Sequence, residues 1–453
     1  MQHTPLLSHR SADAIVCYRA GEPLSAQRFL SDARALAALL PASQHVLNVC
    51  ADRYRFATGL AACLLSGRVS LLPSTHTPEV VGHLSIFAPD VFCLTDDPSC
   101  DIALPKIFYP DAELNAAASP AAHGFDVPQI AETQLAAIVF TSGSTGSPLP
   151  YEKRWGPLSR CVLAGAAPLG LADGRHHSLV GTVPAQHMYG FESSVLLAML
   201  SGNAFSAERP FYPADIAATI AAVPRPRALV TTPIHLRTLL ASQIEFPALD
   251  LIMSATAPLN QGLAQDVEER YRATLLEIYG STETGQIALR RTAHSIPWRL
   301  WPGVHLTQES EHTYAQGGHV EQKTLLCDVI ELKDGDEFLL HGRTADLINI
   351  AGKRSSFAYL NAQLNAIPGV IDGAFFLRAS SGDTAVARLG AAVVAPTLTA
   401  GWLTDQLRLR IDPVFLPRPL LMVQQLPRNA TGKLPQQALQ DLADGHQRDA
   451  GRP

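Results

Sequence analysis

The chain has 453 residues, room for two or three domains of ~150 residues and for large cores that need no disulfide or structural metal. Hydrophobic residues make up 47% of it and charged residues 17%. That is below the roughly 25% charged of an average domain and excludes a disordered tail protein. A formal net charge of -6 argues against a broad electrostatic grip on a nucleic-acid polymer, and no apolar run approaches the ~18 residues of a membrane span.

Short apolar runs alternate with longer helical patterns, which predicts α/β architecture. In chain order, Met1–Ala20 lacks a basic stretch followed by an apolar block, so no secretory signal is expected and the cytoplasm is the expected location. Val46–Cys50 reads as a strand and Arg53–Leu65 as the helix after it. Ala136–Phe140 reads as a strand running into a small-residue loop, Thr141–Ser147. Ala228–Thr231 and Leu249–Met253 read as two more strands, Leu259–Arg272 as a helix, and Thr274–Tyr279 as the strand it delivers. Phe338–His341 and Leu347–Ile350 are short strands around a polar turn, and a small α+β region follows to about residue 440. The texture changes near Arg343–Asp346, so the expected domains are 1–343 and 346–445, with a frayed tail from Ala443. Seven cysteines, odd in number and without a C-x-x-C pair, predict buried thiols in a reducing compartment rather than disulfides or a zinc site.

Four segments carry chemistry. Thr141-Ser142-Gly143-Ser144-Thr145-Gly146 follows a strand directly, and its small residues let backbone N–H groups approach phosphate oxygens while hydroxyls add donors. It lacks the spacing of a Walker A loop, and its alternative is an ordinary surface turn. Tyr279-Gly280-Ser281-Thr282-Glu283-Thr284-Gly285 offers a ring to stack on a base, a hydroxyl for a phosphate and a carboxylate for Mg²⁺. Its alternative is a helix start capped by Ser281 or Thr282. The third segment is Gly342-Arg343-Thr344-Ala345-Asp346, preceded by Asp328 and followed by Gly352-Lys353-Arg354. The fourth is Pro427-Arg428-Asn429-Ala430-Thr431-Gly432-Lys433. In open α/β sheets ligands gather at the carboxyl ends of strands, so the first two loops can face one site.

In order and spacing these segments resemble the adenylate-forming superfamily of acyl-CoA synthetases, peptide-synthetase adenylation domains and luciferases. Its phosphate loop matches Thr141–Gly146, its Tyr/Phe-Gly-x-Thr-Glu segment Tyr279–Glu283, its Gly-Arg-x-x-Asp hinge region Gly342–Asp346, and its terminal Gly-Lys segment Pro427–Lys433. Pro184-Ala-Gln-His187-Met-Tyr-Gly190 is similar to the Pro-x-x-His-x-x-Gly element, and Ser254-Ala255-Thr256-Ala257-Pro258-Leu259 to Ser-Gly-Gly-Ala-Pro-Leu. The resemblance covers about residues 135–440. It implies a large multi-sheet α/β N-terminal domain with a smaller, mobile α+β C-terminal domain that carries the catalytic lysine.

The resemblance also implies roles. Tyr279 would stack on adenine, Gly280 and Ser281 would flank it, and Ser254–Ala257 (with Ala255, Thr256 and Ala257) would line the adenine and acyl side. Thr282 would bind the α-phosphate, Glu283 would hold Mg²⁺, and Asp328 and Arg343 would bond the ribose. His187 would sit beside the incoming carboxylate, and Lys433 would bridge carboxylate and α-phosphate. ATP and Mg²⁺ are the implied cofactors, a small carboxylic acid the substrate, and coenzyme A or the phosphopantetheine of a separate acyl carrier protein the acceptor.

The chain departs from the family pattern in places. Leu149 stands where the phosphate loop usually has lysine, and Lys153 or Arg154 is expected to replace it unless the backbone suffices. Ala345 stands at the hinge, Phe357–Asn361 carries no acid, and the portion before the loop is short. The compact N-terminal region and the segments Asp52-Arg53-Tyr54-Arg55-Phe56 and Gly352-Lys353-Arg354-Ser355-Ser356 resemble the ligases of aryl polyene pigment pathways. Those load a hydroxybenzoate-like acid, of the 3-hydroxybenzoate type, onto an acyl carrier protein. A fatty-acyl or aryl-CoA ligase, a nucleotide-binding relative without catalysis, and an ordinary NTPase or kinase stay open as alternatives. The last lacks a Walker lysine and a His-Arg-Asp segment.

Overall fold

The computed structural model of the protein describes residues 2–117, 125–142, 148–310, 312–343, 347–350, 353–378, 388–428, 434–435, 438–443 and 445. A six-stranded sheet runs in the order Pro148–Arg154, Leu135–Ser142, Val69–Leu72, His45–Asn48, Phe92–Thr95, Lys106–Phe108. All its pairings are parallel except that of Pro148–Arg154 with Leu135–Ser142. Parallel neighbours need crossovers, and the helices Arg53–Leu65 and Pro78–Phe87 supply two of them.

The second sheet has eleven strands. Its middle is parallel: Ala204–Ser206, Ser178–Gly181, Arg227–Thr231, Leu251–Ser254 and Thr274–Ser281. The antiparallel strands Gly285–Arg290, Trp298–Leu300, Glu337–Arg343 and Asp328–Leu332 extend one edge. The hairpin Ile15–Arg19 and Glu22–Ser25 extends the other. The main core lies between the sheets: Val46, Phe56, Leu60 and Val139 from one side pack in one cluster with Phe191, Phe205, Met253 and Ile287 from the other.

The Arg53–Leu65 helix starts because the Asp52 side chain accepts from the Arg55 N–H at 3.0 Å. It is buried on nearly every face, and Arg53 itself is 1% exposed. That guanidinium is fully satisfied: it donates to Ser194 Oγ and to the carbonyls of Ser206, Glu208, Gly181 and Val183. Burial lowers its pKa to about 10, so it stays charged at neutral pH and rivets the first sheet's helix to the second sheet.

The strand expected at Val46–Cys50 ends at Asn48. There the Asn48 side chain accepts from the Cys50 N–H and donates to the Phe56 carbonyl, turning the chain early. The helix expected over Leu259–Arg272 is Gln261–Tyr271, capped by Asn260 through the Leu263 N–H and stopped by Arg272 at φ 51°. The expectation of buried thiols holds at five sites and not at two: Cys327 is exposed and Cys100 half-buried.

Residues from Ile348 onward build their own cores. Ile348, Phe357, Leu360, Phe375, Leu403 and Leu407 form one, and Phe376, Ala392, Leu426 and Leu439 another. They lie on a three-stranded sheet, Asp372–Arg378, Arg388–Val394 and Leu420–Met422. Among the described residues no helix is long and apolar enough to cross a membrane.

Candidate functional site

Adjacent parallel strands end together, so the segments after Leu251–Ser254 and Thr274–Ser281 emerge side by side. After the first comes Ala255–Ala257. Thr256 holds φ 79°, a conformation costly for a β-branched residue, at the position of the family's second glycine. Such strain collects where a turn must bring backbone close to a ligand.

After the second strand the chain makes a tight hairpin into Gly285–Arg290, with Ser281 opposite Gly285. Gly285 sits at φ 71°, the left-handed residue a three-residue hairpin loop requires. A Cβ on Gly280 would lie 2.3 Å from the Gly285 carbonyl oxygen, so the two glycines let the strands cross closely. The Ser281 and Thr284 hydroxyls are 3.1 Å apart and bond each other's backbone. This corrects the helix-start alternative: Ser281 closes a β-turn rather than capping a helix. The turn presents Thr282 half-buried and Glu283 exposed.

Tyr279 donates its phenol to Asp328 Oδ2 at 2.7 Å. Its ring packs at 5.6 Å from both Trp298 and Phe338, which fixes the plane of the aromatic face. Asp328 pairs across the edge strands with Arg343, so the backbone register puts those two residues side by side. Tyr189, two residues after His187, donates to the Met253 carbonyl at 3.0 Å. Gln186, one before it, donates to the Cys50 carbonyl at 2.8 Å. These bonds tie the half-buried His187 turn to the strand that delivers Ala255–Ala257 and to the six-stranded sheet.

Thr141 arrives from that other sheet. Beside it, the Tyr151 phenol faces both the Thr141 hydroxyl and the Glu283 carboxylate; burial and that carboxylate raise its pKa. The Lys153 ammonium donates to the Thr282 carbonyl and, at 3.4 Å, to the Glu283 carbonyl. Burial lowers its pKa. Arg154 turns the other way, to the Thr133 carbonyl and Glu152. Lys153 thus faces the opposite hairpin, and Arg154 the surface.

Of the residues singled out in the sequence, Ala255, Thr256, Ala257, Tyr279, Gly280, Ser281, Thr282 and Glu283 follow or end the strands Leu251–Ser254 and Thr274–Ser281, Asp328 is bonded to Tyr279, Thr141 lies beside Tyr151, and His187 lies in the turn held by Gln186 and Tyr189. Ser142 and Arg343 are described through their backbone alone. Gly143, Ser144, Thr145, Gly146 and Lys433 lie outside the described residues, as do Thr344–Asp346 and most of the tail. Reasoning from sequence missed Tyr151, Trp298, Phe338 and Glu192. Glu192 is the single acid in the apolar run Phe191–Leu200, which was its legible signal.

A magnesium nucleotide fits these residues. The ring of Tyr279 has a fixed face, a carboxylate lies at its edge, and Glu283 is an exposed hard oxygen donor. Among the described residues no group of three or more metal-ligating side chains exists.

Residues 7–304 match the family model described as AMP-binding enzyme. The chain is 31% identical over 303 residues to a 4-coumarate–CoA ligase of Halorhodospira halophila, covering 65% of this chain and 73% of that protein. It is 24% identical over 364 residues to a 4-chlorobenzoate–CoA ligase of an Arthrobacter species, covering 70% and 67%. The fold is similar to that of o-succinylbenzoate CoA synthetase from Bacillus subtilis in complex with its acyl-adenylate intermediate. There the TM-score is 0.78 at 18% identity, over 97% of this chain and 99% of that one.

Proposed function

The chain belongs to the AMP-binding enzyme family, and from that premise we propose that it is an acid–thiol ligase. It joins a carboxylic acid to AMP with release of pyrophosphate, then passes the acyl group to a phosphopantetheine thiol. The observation that carries this reading is the Tyr279–Asp328 hydrogen bond beside the Thr282–Glu283 turn, at strand ends that also bear His187 and Thr141.

The roles follow from charge. A carboxylate is a poor nucleophile towards an anionic α-phosphate, so the site must bring like charges together and stabilise the transition state. Tyr279 and Asp328 orient the nucleoside, with Arg343 on the ribose, and Ala255–Ala257 bound the space for adenine and acid. The loop Thr141–Gly146 cradles the phosphates. Thr282 donates to the α-phosphate, and His187 positions the incoming acid. Glu283 holds Mg²⁺, which when bound neutralises phosphate charge and the pyrophosphate leaving group. Lys433 supplies the bridging cation from the second domain. We assign the domains as 1–343 and 346–445, with rotation between adenylation and thiol attack.

The acid we infer is an aryl acid, since relatives act on 4-coumarate and 4-chlorobenzoate; a hydroxybenzoate is the first candidate. Both relatives are CoA ligases, which favours coenzyme A. The segments 52–56 and 352–356 favour a separate acyl carrier protein as the second reading. Free, mostly buried thiols suit a reducing cytoplasm.

The test is to incubate the protein with Mg²⁺-ATP, an aryl acid and either coenzyme A or a holo-carrier protein. AMP and a thioester are the expected products, and the thiol consumed decides the acceptor. Formation of ADP contradicts the reading.

A further inference from the structure

Behind the Thr282–Glu283 turn lies a buried polar cluster that the proposed reaction does not use directly. Lys153 comes from the strand Pro148–Arg154, Cys161 from the helix Trp155–Ala166, Glu192 from the π-helical turn Phe191–Leu196, and Gln286 from the outgoing hairpin strand. Glu192 and Cys161 are each 2% exposed. The Cys161 thiol donates to Glu192 Oε1 at 3.4 Å, and Gln286 donates to Ser193 Oγ at 2.8 Å. A Cβ on Gly285 would lie 2.8 Å from Glu192 Oε1 and 2.9 Å from the Cys161 sulfur. The carboxyl group thus sits directly beneath one end of the turn.

Lys153 supports the other end through the Thr282 and Glu283 carbonyls. A loop carbonyl turned inward orients the rest of its peptide, so these bonds set where the Thr282 hydroxyl and Glu283 carboxylate point. The half-buried Lys153 ammonium and the buried Glu192 carboxyl are near enough for each to moderate the other's charge. Here the Lys153 charge opposes the rise that burial imposes on the Glu192 carboxyl, which stands at about 7. A solvated lysine on a strand end would need no such companion.

We infer that Lys153 is a positioning residue of the adenylation step: bonded to the Thr282 and Glu283 carbonyls, it holds Thr282 and Glu283 towards the α-phosphate and Mg²⁺. The inference rests on the ligase reading for its chemistry. Lys153 lies four residues beyond Leu149, where the family's phosphate-loop lysine is missing. Its ammonium acts on the Mg²⁺-bearing turn from behind rather than on the phosphates.

The experiment compares the wild-type chain with Lys153→Met and with the double variant Lys153→Met/Glu192→Gln, which leaves no unpaired buried charge if the single variant fails to fold. In ATP–pyrophosphate exchange the double variant is expected to lose ~100-fold in kcat and to need about tenfold more Mg²⁺ for half-saturation, with the KM for the acid unchanged. A merely structural role would lower the amount of folded enzyme without moving the Mg²⁺ requirement. Hydrogen exchange is read in parallel, and residues 279–286 should exchange about tenfold faster in the double variant, with the remaining segments unaltered. Wild-type exchange kinetics and Mg²⁺ dependence in the double variant overturn the inference, as does an unchanged 279–286 segment. Absence of pyrophosphate exchange in the wild-type protein with every acid overturns the ligase reading instead, and hydrogen exchange still decides whether Lys153 holds the turn.

Discussion

The helix Arg53–Leu65 and the C-terminal residues around Asp372 both attach to the eleven-stranded sheet, by very different means. Arg53 enters the core and spends every donor on fixed carbonyls and Ser194. Asp372 binds Arg428 of its own unit bidentately, at 2.7 and 2.8 Å, and reaches Arg237 of the sheet's helix Pro233–Ala241 at 3.5 Å. The first attachment is closed off from solvent, with Arg53 1% exposed. The second is a single ion pair at 3.5 Å between two side chains. The two sheets thus share one core, while the C-terminal residues have cores of their own and meet the sheet's helix through this ion pair.

Replacing Arg53 by Met should break the first attachment. Four buried acceptors and the half-buried Glu208 carbonyl lose their donor, and a loss of about 4 kcal/mol in urea unfolding is expected; a loss under ~1 kcal/mol would show that the sheets do not depend on it. Next in size is a pH effect within the same body. Burial raises the Glu192 carboxyl to about 7 from 4.5, so the folded state holds that proton more tightly than the unfolded chain. Its contribution is complete below pH 4.5 and is lost as pH rises through about 7. Wild-type stability relative to Glu192→Gln should therefore fall across that window, and parallel pH profiles would contradict the assignment.

Asp328→Asn keeps the bond from Tyr279 but removes a charge-assisted acceptor. The KM for ATP should rise about tenfold with stability unchanged. The smallest effect belongs to the second attachment. Arg237→Gln should alter the unfolding free energy by less than ~1 kcal/mol while shifting the ratio of adenylation to thioester formation, as the rotation we propose between the two reactions requires. A stability loss near that of Arg53→Met would show that the two units unfold as one.

What the sequence revealed was local. The Arg53–Leu65 helix stands with the bounds read for it, and the strand-then-small-residue pattern located both loops of the site. Asn48 and Asn260 shifted neighbouring boundaries because side chains that cap or turn the backbone act within three residues. Partners distant in sequence stayed hidden. Nothing near Lys153 announces a bond to a carbonyl 129 residues away, and nothing near Ile15–Arg19 announces a parallel pairing with Ala204–Ser206. Thr256 escaped for another reason: its φ of 79° is imposed by the fold against the residue's own preference.

The most direct measurement of the central claim is Mg²⁺-dependent ATP–pyrophosphate exchange across benzoates, cinnamates and fatty acids, for wild type and Lys433→Ala. Exchange that depends on aryl acids and falls by ~10²–10³ in the variant, with ATP affinity nearly retained, is the predicted result. Exchange with no acid, or an acid-dependent exchange that Lys433→Ala leaves intact, would contradict it.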